Sequence, residues 1–122
     1  IKLGLQKNLV LGNLKVKRDW GYAPDYVEGI WLMLQQKKPD DFVLATNETH
    51  TVEEFAKESC RIAGVPLSVI KSNKKNFRPF DIKIQKGDYS KARKNLGWKP
   101  KTTFKELVKI MVESDIQRLS SS

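Results

Sequence analysis

Apolar residues recur at helical spacing in "APDYVEGIWLMLQQKKPDDF", where Tyr26, Val27, Ile30, Trp31 and Leu34 mark one face of a helix. Pro24 suits a first helical turn, and the "KKPDD" cluster closes the segment ahead of Pro39. The spacing predicts a helix over residues 25 to about 36, anchored in the core by that face. Gly29 within it costs about 1 kcal/mol relative to Ala, so a neighbour is expected to approach closely there. The run "FVLA", residues 42–45, predicts a short buried strand.

Further along, Thr51 with Glu54 three residues on forms a capping-box pattern, and Gly64 and Pro66 end the helix it opens. Val52, Phe55, Ala56 and Ala63 share one side of that helix. "LSVI", residues 67–70, alternates as a second strand. "NKKNFRPF" reads as a polar, Pro-containing loop, and "FDIKIQ" as an extended segment. A short helix is predicted over Ser90–Leu96, stopped by Gly97, with Trp98 folding back onto the core. A last helix starts at Thr103, with Glu106 in the capping position, and is expected to bury Phe104, Leu107, Val108 and Met111. Helices with a few short strands between them imply a small α+β domain covering residues 1–122, with no repeat and no linker.

At 122 residues and 39% hydrophobic content the chain can bury a modest core, and no apolar run approaches the roughly 20 residues of a membrane span. Cys60 is the single cysteine, so no internal disulfide forms and a reducing, cytoplasmic setting is expected. The opening "IKLGLQKN" has no initiator Met and no capping residue before its apolar pattern, so it reads as cut from something longer.

A formal charge of +9, from 23 Lys and Arg against 14 Asp and Glu, draws the surface towards anions. The positive residues are spread, densest at 71–78 and 90–101, which is the usual pattern of a solvated surface.

Glycine-rich phosphate loops of the dinucleotide or P-loop kind are missing, as are HExxH, GxSxG, CxxC and any metal-ligand spacing. His50 stands alone beside a helix cap and reads as a surface or capping residue, Cys60 as a buried thiol. Asp40/Asp41 and Glu53/Glu54 sit at helix ends, where the backbone dipole favours negative charge.

What remains is arginine. Arg18 lies in "VKRDW" before a helix and Arg78 in "NFRPF", where Pro79 stiffens the chain. A guanidinium presents a planar fork that matches phosphate oxygens, so two converging arginines would clamp a diphosphate. The structural alternative has Arg18 paired with Asp19 or Asp25 and Arg78 capping a loop carbonyl.

Residues GNL, KRDWG, DYV, WLMLQQ, PDDFV, ATxETH, RP and LGWKP occur here in that order. Together they resemble the carboxyl-terminal, substrate-binding portion of the GDP-mannose 4,6-dehydratase family, extended short-chain dehydrogenase/reductases; residues 56–76 match more loosely. The resemblance implies a lyase. It would use tightly held NADP to oxidise C4 of GDP-mannose, eliminate water across C5 and C6, and return the hydride to C6, giving GDP-4-keto-6-deoxymannose. By that resemblance the Rossmann domain and the catalytic residues precede Ile1, so this segment contributes GDP-sugar binding without catalysis and holds no cofactor itself.

Carried over by position, Arg18 and Arg78 match the arginines that meet the diphosphate, and Asp81 an acid near the ribose hydroxyls. Gly12 and Asn13 match the edge of the nucleotide pocket, while Lys15 and Lys17 add positive potential. Asn47 replaces the usual glycine of "ATGET", a position where Asn tolerates a left-handed backbone. Related nucleotide-sugar epimerases and a GDP-sugar reductase share the arginine pair. The resemblance further implies a homo-oligomer and no nucleic-acid or membrane partner. Two other classes remain on the residues alone: a basic nucleic-acid-binding domain, which needs the lysines of 71–78 and 90–101 on one stripe, and an assembly domain that associates through apolar surface.

Overall fold

The computed structural model describes residues 1–121. In chain order the elements are β1 (Leu9–Leu11), β2 (Lys17–Arg18), α1 (Ala23–Leu34), β3 (His50–Thr51), α2 (Val52–Ala63), β4 (Ile70–Ser72), β5 (Ile84–Gln85), α3 (Ser90–Leu96) and α4 (Phe104–Ser120). Helices dominate, with short strands between them, as the apolar pattern predicts.

Both capping boxes form. Thr51 Oγ1 accepts from the Glu54 amide at 3.0 Å while Glu54 Oε2 accepts from the Thr51 amide at 2.5 Å. The Thr103–Glu106 pair repeats this at the start of α4, at 3.4 and 2.8 Å. Each satisfies amides that the first helical turn leaves without partners. Gly64 and Gly97 end α2 and α3 in the left-handed conformation, both at φ 68°. Asn47 also takes a left-handed backbone, at φ 63°.

The strands make two small sheets. β1 pairs in parallel with β4, Leu9 opposite Ile70. In the other sheet β2 is central, antiparallel to β3 and parallel to β5. One part of the core lies between α2 and α4, where Ala56, Cys60, Leu107 and Val108 are buried. Trp20 joins it, its ring centroid 5.0 Å from Phe55 and 6.1 Å from Phe104. A second part gathers on Trp98, which folds back as expected: its indole donates to the Asp25 carbonyl at 2.8 Å, and Tyr26 and Tyr89 flank it with centroids at 6.0 and 5.8 Å. Asp25 is itself buried, and its Oδ2 accepts from the amides of Lys101 and Thr102 at 3.0 and 2.9 Å.

Several expectations are corrected. Of the α1 face predicted to anchor the core, Tyr26 packs on Trp98, but the rest points outwards: Val27 is 62%, Ile30 51%, Trp31 58% and Leu34 77% exposed. Asp25 and Gly29 are the buried positions of this helix. Gly29 decides the outcome, because a Cβ there would stand 2.7 Å from Leu44 Cδ1 and 3.0 Å from Trp98 Nε1; the narrow edge of the helix, not its apolar stripe, admits the neighbouring segment. Met111, expected inside, is exposed.

The predicted strand at 67–70 is a 3-10 turn over Leu67–Val69, started by Pro66 in an extended conformation. Pairing begins only at Ile70, in the more polar "IKS". Residues 42–45 join no ladder, although their side chains alternate: Leu44 meets Gly29, while Ala45 and Val43 face Gly87. The extended reading of "FDIKIQ" narrows to β5. Among the described residues no helix is long and apolar enough to cross a membrane.

Candidate functional site

β2 carries Arg18, and its neighbours fix the strand. The Lys17 amide donates to the Lys83 carbonyl at 2.8 Å and the Asp19 amide to the Gln85 carbonyl at 3.0 Å. Arg18 Nη1 donates to the carbonyls of Ile82, at 2.6 Å, and Lys17, at 2.8 Å. Arg18 Nη2 pairs with Asp81 Oδ1 at 2.5 Å, with 20% and 18% of the two side chains exposed. A guanidinium has five N–H donors, so Nε–H and the second Nη2–H remain free for a ligand, as does Asp81 Oδ2.

Asp19 and Asp25, the partners that the structural alternative offered Arg18, are engaged elsewhere. Asp19 Oδ1 accepts from Thr46 Oγ1 at 2.6 Å and the Thr46 amide at 2.9 Å, and Oδ2 accepts from the Gly87 amide at 3.2 Å. Asp19 therefore ties the end of β2 to the chain on either side of it. Asp25 holds the start of the segment leading to α4. Arg78 caps no carbonyl: it is exposed, and among the described residues it has no hydrogen bond or ion pair.

Gly12, Asn13, Arg18, Arg78 and Asp81 line one cavity of about 440 Å³, together with Trp20 and Asn76. The Gly12 carbonyl accepts from Ser72 Oγ at 2.8 Å and Asn13 Oδ1 from the Lys15 amide at 3.0 Å, so both wall residues are locally fixed. A Cβ on Gly12 would lie 2.4 Å from the Asn76 carbonyl oxygen. The loop that ends in Arg78 can therefore close on β1 only because residue 12 is glycine. Lys15 and Lys17 line an adjoining cavity of about 390 Å³ that shares Asn13 and Val16, and place further positive charge beside it.

Trp20 and Asn76 escaped the sequence reading. Trp20 sits within "KRDWG", where a large aromatic two residues from the arginine was the available signal; Asn76 carried none, since only the folded loop brings it near Gly12. Larger clefts of about 620 and 610 Å³ exist elsewhere. The first is walled mainly by apolar side chains; the second carries Glu54 and Glu58 among its cations, with Lys57 and Arg61 already paired to Glu53 and Glu58. Neither contains Arg18 or Arg78, so the smaller polar cavity, where Arg78 is unpaired among the described residues, is the one best suited to an anion.

His50 is half-buried rather than a free surface residue: its ring stacks on Phe104 with centroids 3.8 Å apart. Burial pushes the Cys60 thiol up from its ordinary pKa, which keeps it an inert core residue. No group of three or more His, Cys, Asp or Glu able to hold a metal occurs among the described residues. In the stretches rich in lysine, Lys91 pairs with Asp40 and Lys101 with Glu28.

The family model for GDP-mannose 4,6 dehydratase matches residues 1–111. The chain is 52% identical over 118 residues to GDP-mannose 4,6 dehydratase 1 of Arabidopsis thaliana, covering 96% of this chain and 33% of that protein. It is 39% identical over 140 residues to the Homo sapiens GDP-mannose 4,6 dehydratase, covering 100% of this chain and 38% of that one. Thus it spans about a third of the length of the curated relatives it matches. Among solved structures, RMD from Pseudomonas aeruginosa, complexed with NADPH, superposes with a TM-score of 0.85 at 22% identity, over 96% of this chain and 39% of that one. UDP-glucose 4-epimerase of Thermotoga maritima, with UDP-glucose, gives a TM-score of 0.82 at 26% identity, over 92% and 36%.

Proposed function

Since this chain belongs to the GDP-mannose 4,6-dehydratase family, we propose that it is the carboxyl-terminal, GDP-sugar-binding part of an NADP-dependent enzyme, a lyase, that converts GDP-mannose to GDP-4-keto-6-deoxymannose. The observation that carries the reading is the convergence of Arg18, Arg78, Asp81, Gly12 and Asn13 on one cavity. Arg78 keeps its whole guanidinium for the diphosphate, and Arg18 keeps Nε–H and one Nη2–H. Charge-assisted, forked contacts of this kind suit phosphate oxygens better than ammonium contacts do. The free Oδ2 of Asp81 accepts from a ribose hydroxyl while Oδ1 holds Arg18 in place.

This chain's residues bind and orient the nucleotide; none of them is assigned to the bond-making steps. NADP supplies the hydride chemistry when bound. Nothing lining the cavity is assigned to NADP: its anion-binding donors are taken up by the substrate's diphosphate, and the chain has no glycine-rich turn. The cofactor belongs to the part of the enzyme that the relatives' greater length accommodates. The complete enzyme is a cytoplasmic homo-oligomer in this reading.

The test is turnover. The 122 residues, placed in the Arabidopsis relative instead of its aligned third, should convert GDP-mannose to the 4-keto-6-deoxy product when NADP is present, with GDP competing and UDP not. A folded chimera that binds neither GDP nor GDP-mannose would sink the assignment.

A further inference from the structure

The charged residues of the cavity already have tasks: Arg18 and Arg78 meet the diphosphate, and Asp81 a ribose hydroxyl. The rest of its wall is uncharged, formed by Gly12, Asn13 and Asn76 with Val16, Trp20 and Val52. Asn13 Oδ1 accepts from the Lys15 amide at 3.0 Å, so that acceptor is taken. Asn76 differs: it is exposed, and its carboxamide makes no hydrogen bond among the described residues. Its backbone, by contrast, is fixed. Leu11 opposes Ser72 in the ladder between β1 and β4, and the Asn73 amide continues the pairing by donating to the Leu11 carbonyl at 2.9 Å. A 3-10 turn over Lys74–Asn76 follows, capped by Asn73, whose Oδ1 accepts from the Lys75 amide at 3.0 Å. The Asn76 amide donates to the Asn73 carbonyl at 3.0 Å, and its own carbonyl lies so close to Gly12 that no Cβ fits between them. A free side chain on a fixed backbone is a mounting suited to recognition, since little ordering is left for the ligand to impose.

We propose that the Asn76 carboxamide recognises the guanine base of the GDP-sugar at its Watson–Crick edge, Nδ2 donating to O6 and Oδ1 accepting from N1–H. The inference rests on the reading above, in which this cavity takes a GDP-sugar. A carboxamide sets an acceptor beside its donors. Guanine presents the complementary pair on that edge, and an unpaired base is read there by hydrogen bonds. The other parts of the ligand match Asn76 less well. A diphosphate offers acceptors alone, which would leave Oδ1 unused, and two guanidinium forks serve it better. A ribose hydroxyl is already met by Asp81, which is charged and lines the same cavity.

The experiment is calorimetry on the Arabidopsis chimera, unsubstituted and with Asn76→Ala, the weaker ligands being measured by displacement of GDP. The ligands are GDP, inosine diphosphate, 1-methyl-GDP and ribose 5-diphosphate. Inosine diphosphate keeps O6 and N1–H, 1-methyl-GDP blocks N1, and ribose 5-diphosphate has no base. Asn76→Ala should raise the dissociation constants of GDP and inosine diphosphate about tenfold and leave the other two within about twofold. Asn76→Leu, which fills the place of the carboxamide without its polar atoms, should weaken the same two ligands. An unchanged GDP constant in either variant overturns the proposal and leaves the proposed function standing. An equal rise for all four ligands also overturns it, because the side chain then acts on the diphosphate, the ribose or the shape of the loop bearing Arg78. An unsubstituted chimera that binds none of the four overturns the proposed function and this inference together.

Discussion

Replacing Asp19 tests whether this carboxylate is the structural tie that holds β2 in place. Its oxygens accept from the Thr46 amide at 2.9 Å, Thr46 Oγ1 at 2.6 Å and the Gly87 amide at 3.2 Å. A hydrogen bond to a charged group contributes about 1.5–3 kcal/mol, and a donor left unsatisfied costs about 1–3 kcal/mol. Asp19 is only partly buried, so water rescues some of the freed donors. Asp19→Ala should therefore cost about 3 kcal/mol. Asp19→Asn keeps an acceptor for Thr46 but sets an amide nitrogen against the Gly87 N–H, and should cost about 1–2 kcal/mol. Against a total stability of roughly 5–15 kcal/mol these are large fractions. Urea unfolding followed by circular dichroism reads them directly: with a slope of about 1.5 kcal/mol/M, the Asp19→Ala midpoint falls by about 2 M. A loss below about 0.5 kcal/mol at unchanged slope would refute the role. A Thr46→Val cycle refines it, because the two losses should be less than additive if they share one bond.

Three further outcomes are expected. Gly12→Ala places a Cβ 2.4 Å from the Asn76 carbonyl oxygen; the loop bearing Arg78 must shift, and GDP affinity of the complete enzyme measured by calorimetry should fall about tenfold, since even 1 Å of misplacement is costly. Asp25→Ala frees the amides of Lys101 and Thr102 in the buried region around Trp98 and should destabilise the fold by about 3 kcal/mol, read as a lower thermal midpoint with red-shifted tryptophan emission. The third is a pH dependence. The carboxyls of Glu54 and Glu106 are held below their usual value of 4.5, first by the backbone hydrogen bonds from Thr51 and Thr103. A depressed folded-state pKa gives stability that is present above the unfolded pKa and lost as pH falls through the folded one. Thermal midpoints should therefore drop as pH falls below about 4.5, and Glu54→Gln with Glu106→Gln should flatten that drop.

Contacts that the sequence made legible are the local ones. The Thr51–Glu54 and Thr103–Glu106 boxes and the glycine caps at 64 and 97 depend on neighbours within a few residues. Arg18 and Arg78 were legible from their chemistry as anion-binding candidates, whereas Gly12, Asn13 and Asp81 were reached only through the resemblance to a family. Three features were not legible, for different reasons. Arg18 and Asp81 stand 63 residues apart in the chain, and nothing local says that they pair. For α1, periodicity marks which residues are apolar but not which body covers them, so the stripe at Val27, Ile30, Trp31 and Leu34 was assigned to the wrong side of the helix. At 67–70, Pro66 overrode an alternating pattern and turned it into a 3-10 turn.

The central claim is a two-arginine diphosphate site. Its most direct test is isothermal calorimetry of GDP binding to the complete enzyme carrying this sequence, with Arg18→Ala, Arg78→Ala and the double variant. Each single change removes charge-assisted hydrogen bonds contributing about 1.5–3 kcal/mol, so each dissociation constant should rise by roughly 10- to 100-fold. Unchanged affinity in both single variants, with the fold intact, would contradict the account.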